Sequence, residues 1–184
     1  MADGYGLNDL IHEMRRVTAK TQLPADILRH LTAPARRLAL EPAWLEPRFH
    51  DCDPVAGFAI HPLHEEPDHS LSVVLAALLP GRDLPPHNHK TWALQVGIES
   101  YSLNLAWRRI DDGSRPGHAE LVETGRLSFG PGDVLAFMPE DIHSIVNASS
   151  QLALSLNLYG VSYAAAQSEK FDPRAQTVKP LLAP

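Results

Sequence analysis

The period of the apolar positions changes once along the chain. Near the N-terminus Leu7, Leu10, Ile11, Met14 and Val17 recur every three or four residues. That spacing lines one face of an amphipathic helix, with Asn8 placed to cap its start. Pro24 fits the first turn of a second helix carrying Ile27, Leu28 and Leu31. Pro34, Pro42 and Pro47 are expected to break the chain after Leu31 into short pieces. Residues 1–48 therefore read as a helical segment, either a packing layer or a lid. From residue 56 the texture becomes that of strands. Residues 58–60, 71–79, 92–96, 101–107, 120–127, 134–137, 144–146 and 152–159 are β-like runs. Between them stand Pro80-Gly81, Asp111-Asp112-Gly113-Ser114, Gly130-Pro131-Gly132-Asp133 and Ala148-Ser149-Ser150. Short strands separated by turn chemistry predict a mainly β sandwich or barrel over 56–163. Residues 164–184 form a polar, proline-containing tail expected to lie over the surface.

Composition narrows the function. The 184 residues suit one domain. The net charge of −6 disfavours nucleic acid and anionic membrane as partners. No run reaches 18 apolar residues, so no membrane-spanning helix is expected. The start of the chain lacks the early apolar stretch of a secretory signal. Cys52 is the only cysteine, which rules out an intrachain disulfide and agrees with a reducing, cytoplasmic location.

The chemistry concentrates in two blocks. In Gly81–His89 (GRDLPPHNH) the imidazoles of His87 and His89 are two residues apart, so a strand directs both to one face. Two neutral imidazoles on one face make the first half of a metal site. In Gly132–Asn147 (GDVLAFMPEDIHSIVN) a glycine turn starts a strand, Pro139-Glu140-Asp141 makes a second turn, and His143 opens the next strand. His61, His64 and His69 lie among Pro, Glu and Asp and read as surface loop, although His61 has an opening toward the pocket mouth. His12, His30, His50 and His118 read as surface.

This pair of blocks resembles the two signature motifs of the cupin superfamily. The resemblance implies a double-stranded β-helix, or jelly-roll barrel, with N-terminal helices packed against it. His87, His89 and His143 would be its metal ligands, on one face of an octahedron with open positions left over. The glutamate usual four or five residues after the second histidine is absent, since Ala93 and Leu94 stand there; Gln95 lies nearby. More narrowly, the chain resembles the thiol dioxygenase group, the bacterial cysteine and 3-mercaptopropionate dioxygenases. The residues that carry this are HNHKTWALQVG (87–97), WRRIDDG (107–113), SLNLYG (155–160) and FDP (171–173). That group implies Fe(II), O2 and a small thiol oxidised to a sulfinate, and it admits a homodimer. Its Ser-x-His-x-Tyr triad is here Ser155, Asn157 and Tyr159. An amide at the middle position relays a hydrogen bond but does not titrate near neutrality. The cysteine that some members cross-link to the tyrosine is replaced by Leu94. The arginines that bind a substrate carboxylate, near His61 or near Gln167 and Ser168, are missing, which leaves Arg82, Arg108, Arg109 and Arg174 as substitutes. Trp92 and Phe137 are candidates for the pocket wall. Two other readings stay open: a three-His dioxygenase cleaving a carbon–carbon bond of a diketone-like compound, and a cupin that binds metal and senses a ligand without turnover.

Overall fold

The computed structural model describes residues 4–162 and 165–181. The first three residues of the helical segment, residue 163 of the expected barrel, and residues 164 and 182–184 of the tail lie outside the described residues. Two helices open the fold, α1 (Leu7–Thr18) and α2 (Pro24–Ala39), followed by single helical turns at Pro42–Trp44 and Pro47–His50. Among the described residues eleven strands come next: β1 (Phe58–Glu65), β2 (Ser72–Leu78), β3 (Asp83–His87), β4 (Ala93–Glu99), β5 (Ser102–Arg109), β6 (Leu121–Phe129), β7 (Val134–Phe137), β8 (Ile142–Val146), β9 (Ala153–Tyr159), β10 (Glu169–Asp172) and β11 (Thr177–Pro180). They form a five-stranded sheet in the order β1-β2-β9-β4-β7 and a six-stranded sheet in the order β11-β10-β3-β8-β5-β6. Strand pairing in both sheets is antiparallel. The mainly β jelly-roll architecture with N-terminal helices expected from the sequence is the architecture observed.

The five-stranded sheet has two buried faces, and its sequence shows it. In β9, Leu154, Leu156 and Leu158 are at most 2% exposed and pack with Leu10, Met14, Leu31 and Leu38 of the helices. The alternate residues Ser155, Asn157 and Tyr159 turn to the barrel interior, because successive side chains on a strand point to opposite faces. Register carries the division across the sheet. Asn157 pairs with Val74 and Gln95, and Tyr159 pairs with Ala93. Val74, Ala93, Phe137 and Tyr159 then form a separate interior cluster. The helices therefore cover the outer face of the barrel, and they are a packing layer, not a lid.

Several local expectations are corrected. Gly6, not Asn8, caps α1; the Asp9 carboxylate reaches back to accept the Gly6 N–H at 2.8 Å. Pro34 sits inside α2 instead of breaking it. A proline there forfeits the bond to the His30 carbonyl, but Leu31, Ala35 and Leu38, all 0% exposed, hold the helix to the sheet. Strand β3 runs through Pro85 and Pro86, a strand absent from the β-like runs of the sequence because proline weakens the strand pattern. The tail is not simply draped on the surface: β10 and β11 extend the six-stranded sheet. Among the described residues no helix is long and apolar enough to cross a membrane.

Candidate metal centre

His87 ends β3 and His143 lies in β8, where the two are direct cross-strand partners. His89 lies on the loop beyond β3. One ligand nitrogen from each of the three lies within 4.8 Å of the others. The Nε2 atoms of His89 and His143 are 3.0 Å apart. Two nitrogens held at right angles about 2.1 Å from one divalent ion would be separated by about 3.0 Å. That separation serves an N–H···N hydrogen bond between the two neutral rings when no metal is bound and suits a shared divalent ion when both nitrogens are unprotonated, so the donor set fits a metal. It contains no carboxylate, and all three ligands are neutral.

Burial keeps them neutral. Desolvation holds His89 and His143 well below the usual imidazole pKa, and the neighbouring histidines push the same way. His87, half-buried in the accessible surface, is also lowered by desolvation, opposed by its bond to the Pro85 carbonyl. A ligand imidazole must be unprotonated at the metal, and these three meet that condition.

Neighbouring groups orient the rings. His87 Nδ1–H donates to the Pro85 carbonyl at 2.9 Å, which leaves Nε2 as its donor to a metal. Asn104 on β5 holds His143 Nδ1 at 3.1 Å. The atom facing Nδ1 is the Asn104 Nδ2; with a metal on Nε2, Nδ1 would carry the proton and the amide would turn over to present its oxygen. Asn88, between His87 and His89, donates to Glu169 Oε2 at 2.9 Å and accepts the Glu169 N–H at 2.9 Å. Ser168 Oγ donates to the His89 carbonyl at 3.2 Å. Lys90 joins Glu140 at 2.8 Å and Glu169 at 3.0 Å. The start of β10 thus clamps the ligand loop. Sequence reasoning misses Asn88, Asn104 and Glu169. The signal available is the asparagine between two ligand histidines; Asn104 and Glu169 meet the site only through strand pairing.

The remaining candidates divide clearly. Ser155, Asn157 and Tyr159 share the interior face, and the Tyr159 ring lies 5.2 Å from that of His89. Asn157 Nδ2 donates to Ser155 Oγ at 3.1 Å. Gln95 points inward and donates to the same Oγ at 3.2 Å. Ala93 faces inward, while Leu94 is turned into the helix-side core. Phe137 walls the site, its ring 4.1 Å from His143 and 5.7 Å from His89. Trp92 belongs to the helix-side core and rests against Gly160. His61 pairs with Leu75 and packs edge-on to Phe49, on the helix side and away from the histidine cluster. His118 is half-buried beside Glu120, not surface as expected. Cys52 is half-buried, and burial raises its thiol pKa.

The arginines divide too. Arg109 forms a two-pronged pair with Asp111 and also donates to the His118 carbonyl. Arg82 lies over Gly57 and donates to the Pro54 carbonyl. Arg174 borders the groove on the outer face of the six-stranded sheet. Arg108 is exposed, on the strand face that also carries Asn104.

No family model matches the chain. Among solved structures, an oxalate oxidase in complex with glycolate aligns with a TM-score of 0.46 and 18% identity, over 59% of this chain and 53% of its own. The chain thus spans about half the length of that protein. A protein from Thermus thermophilus aligns with a TM-score of 0.46 and 19% identity, over 62% of this chain and 92% of its own. A cupin 2 conserved barrel domain protein from Salinispora arenicola gives 0.42 and 16%, over 65% and 87%. The fold assignment rests on strand order: two facing antiparallel sheets of a jelly roll, with three neutral histidines converging from β3, the loop after it and β8.

Proposed function

We propose that this protein is a non-haem Fe(II) dioxygenase that adds O2 to a small thiol and gives a sulfinate. The observation that carries the reading is the cluster of three neutral imidazoles, His87, His89 and His143, beside the inward row Ser155, Asn157 and Tyr159. Fe(II) held by three neutral ligands would keep its positive charge and offer positions where a thiolate and O2 meet. The balance is R–SH plus O2 giving R–SO2H: both oxygen atoms end on sulfur and no external reductant is consumed.

The chain's own residues set the conditions. Phe137 and Tyr159 flank the imidazoles with aromatic surface, which excludes water and strengthens electrostatic interactions nearby. Asn104 and the Pro85 carbonyl fix ring orientation. Asn157 and Gln95 converge on the Ser155 hydroxyl, so this row orients by hydrogen bonding and does not shuttle protons near neutral pH. Arg82 and Arg109 are engaged by the Pro54 carbonyl and by Asp111 and the His118 carbonyl, so neither is free to anchor a substrate carboxylate, whereas Arg108 lies on the strand face that carries Asn104. The same reading places the protein in the cytoplasm, in keeping with the lone Cys52 thiol, with a small molecule and O2 as its partners.

The test is O2 uptake by anaerobically prepared, Fe(II)-loaded protein given a panel of small thiols and a β-diketone, with products weighed by mass spectrometry. The expected result is uptake with a thiol, a product heavier by two oxygens, and loss of both in His143→Ala. Uptake with the diketone alone would replace thiol oxidation by carbon–carbon cleavage. Tight metal and ligand binding without uptake would indicate a sensor.

A further inference from the structure

Among the described residues the two sheets end in four edge strands, β1, β7, β6 and β11. Short edge strands, prolines and bulges hinder pairing with another chain. β1 carries Pro62 at a register shift, and β7 and β11 are four residues long. β6 is different. It is nine residues long, holds no proline and exposes residues 124–128 in succession. A Cβ on Gly125 would meet nothing within 4 Å. A row of backbone N–H and C=O groups thus faces solvent along this edge.

A bulge decides which residues of β6 share a face. Ala106 of β5 pairs with Gly125 and Trp107 pairs with Glu123, so Thr124 is the extra residue. Ala106 pairs with His143 and Asn104 bonds its ring, which marks the inner face of β5. Val122, Gly125 and Leu127 stand opposite Arg108, Ala106 and Asn104 and lie on that face. Glu123 and Arg126 stand opposite Trp107 and Leu105 and lie on the outer face, where Arg126 donates to Glu123 at 2.8 and 2.9 Å. Without the bulge, residues three or five apart would fall on opposite faces.

The resulting edge is its own complement. Take two antiparallel β6 strands related by a two-fold axis between Thr124 and Gly125. Glu123 then stands opposite Arg126 of the second copy, and Arg126 opposite its Glu123. Val122, 39% exposed, meets Leu127, 48% exposed, on both sides of the axis. Residues paired across a ladder must share a face, and the bulge supplies that match at every one of these pairs. Opposite charges and apolar pairs directly across a ladder stabilise it, and like charges destabilise it. The charges and the bulge therefore reject strands of other register and fit a second β6. We infer that β6 is the interface of a two-fold homodimer, in which the six-stranded sheets of two copies join edge to edge in this register. The inference rests on the sheet edge alone and is independent of the chemistry proposed above.

The experiment is sedimentation equilibrium on the whole chain loaded with Zn(II), for wild type, Glu123→Arg, Arg126→Glu and the double exchange. The wild type and the double exchange are expected to dimerise. Each single reversal sets like charges opposite each other at two places and should weaken the dimer roughly tenfold. The double exchange carries both substitutions, so its dimer shows that the single variants fail by charge and not by misfolding. A second measurement locates the interface. Ser128 would stand opposite Leu121 of the second copy, so nitroxides on Ser128→Cys, in a Cys52→Ser background, should lie about 23 Å apart at about 3.3 Å per residue. Dipolar spectroscopy reads that distance. A monomeric wild type, a dimer indifferent to the single reversals, a folded double exchange that stays monomeric, or a label separation far from that distance overturns the inference.

Discussion

At the scale of single residues, the histidines depend on neighbours that never touch the metal. Asn104 lies 5% exposed and bonds His143 Nδ1. Asn104→Leu removes that partner and keeps the branched shape of the side chain. Metal affinity is expected to fall about 10–100-fold, measured by competition with a chromophoric chelator, while the fold persists by circular dichroism. Glycines carry a different constraint. A Cβ on Gly97 would lie 2.0 Å from the Gly130 carbonyl oxygen. That contact belongs to backbone, which cannot swing away as a side chain would. Gly97→Ala should cost about 3 kcal/mol, the upper range for overpacking, read from the midpoint of urea unfolding.

At the scale of elements, β9 shows how one strand serves two purposes. Its leucines bind the helix layer and its polar residues line the barrel. The two functions are separable by substitution. Leu31 in α2 is 0% exposed against this sheet. Leu31→Ala should lower stability by about 2–5 kcal/mol and leave metal affinity within about twofold, because the helices cover the face opposite the histidines; calorimetry and chelator competition together check it. Strand β10 behaves otherwise. Glu169 joins Asn88 and Lys90 and thereby fixes the loop bearing His89. Glu169→Ala should weaken metal binding about tenfold with a smaller effect on unfolding, since the residue is half-exposed and exposed ion pairs contribute about 0–1 kcal/mol.

At the scale of the molecule, three buried neutral imidazoles link folding to pH. In the unfolded chain each histidine titrates near about 6.5. In the folded, metal-free protein burial depresses that value, most for His89 and His143. Below the unfolded value the unfolded state therefore binds more protons than the folded one. Stability rises with pH wherever this is so, so it is at full value above the unfolded pKa and is lost as pH falls through and below it. Thermal scans of metal-free protein from pH 8 to pH 5 should show a falling midpoint. His89→Leu should flatten the slope, and saturating Zn(II) should raise the midpoint most at the higher pH. A midpoint independent of pH over this range would contradict the burial of the cluster.

What could be read from sequence was whatever repeats locally. The three- and four-residue spacing of Leu7, Leu10, Ile11, Met14 and Val17 marked a helix, and the alternation in residues 154–159 marked a strand with one polar face. His87 and His89, two apart, signalled a shared direction, and the motif spacing added His143. These signals survive because strand and helix periods depend on backbone geometry alone. Only the tertiary structure settled the rest. That Pro34 stays within a helix depends on burial of Leu31, Ala35 and Leu38 against a sheet formed far along the chain. Asn104 and Glu169 reach the histidines by strand pairing, which no local period encodes. His61 turns to the helices and Gln95 to the interior because register chose the face for each strand. The sequence by itself determined which residues could hold a metal; the tertiary structure decided which polar groups surround them, because long-range strand pairing alone brings β5, β9 and β10 to the same end of the barrel as β3 and β8.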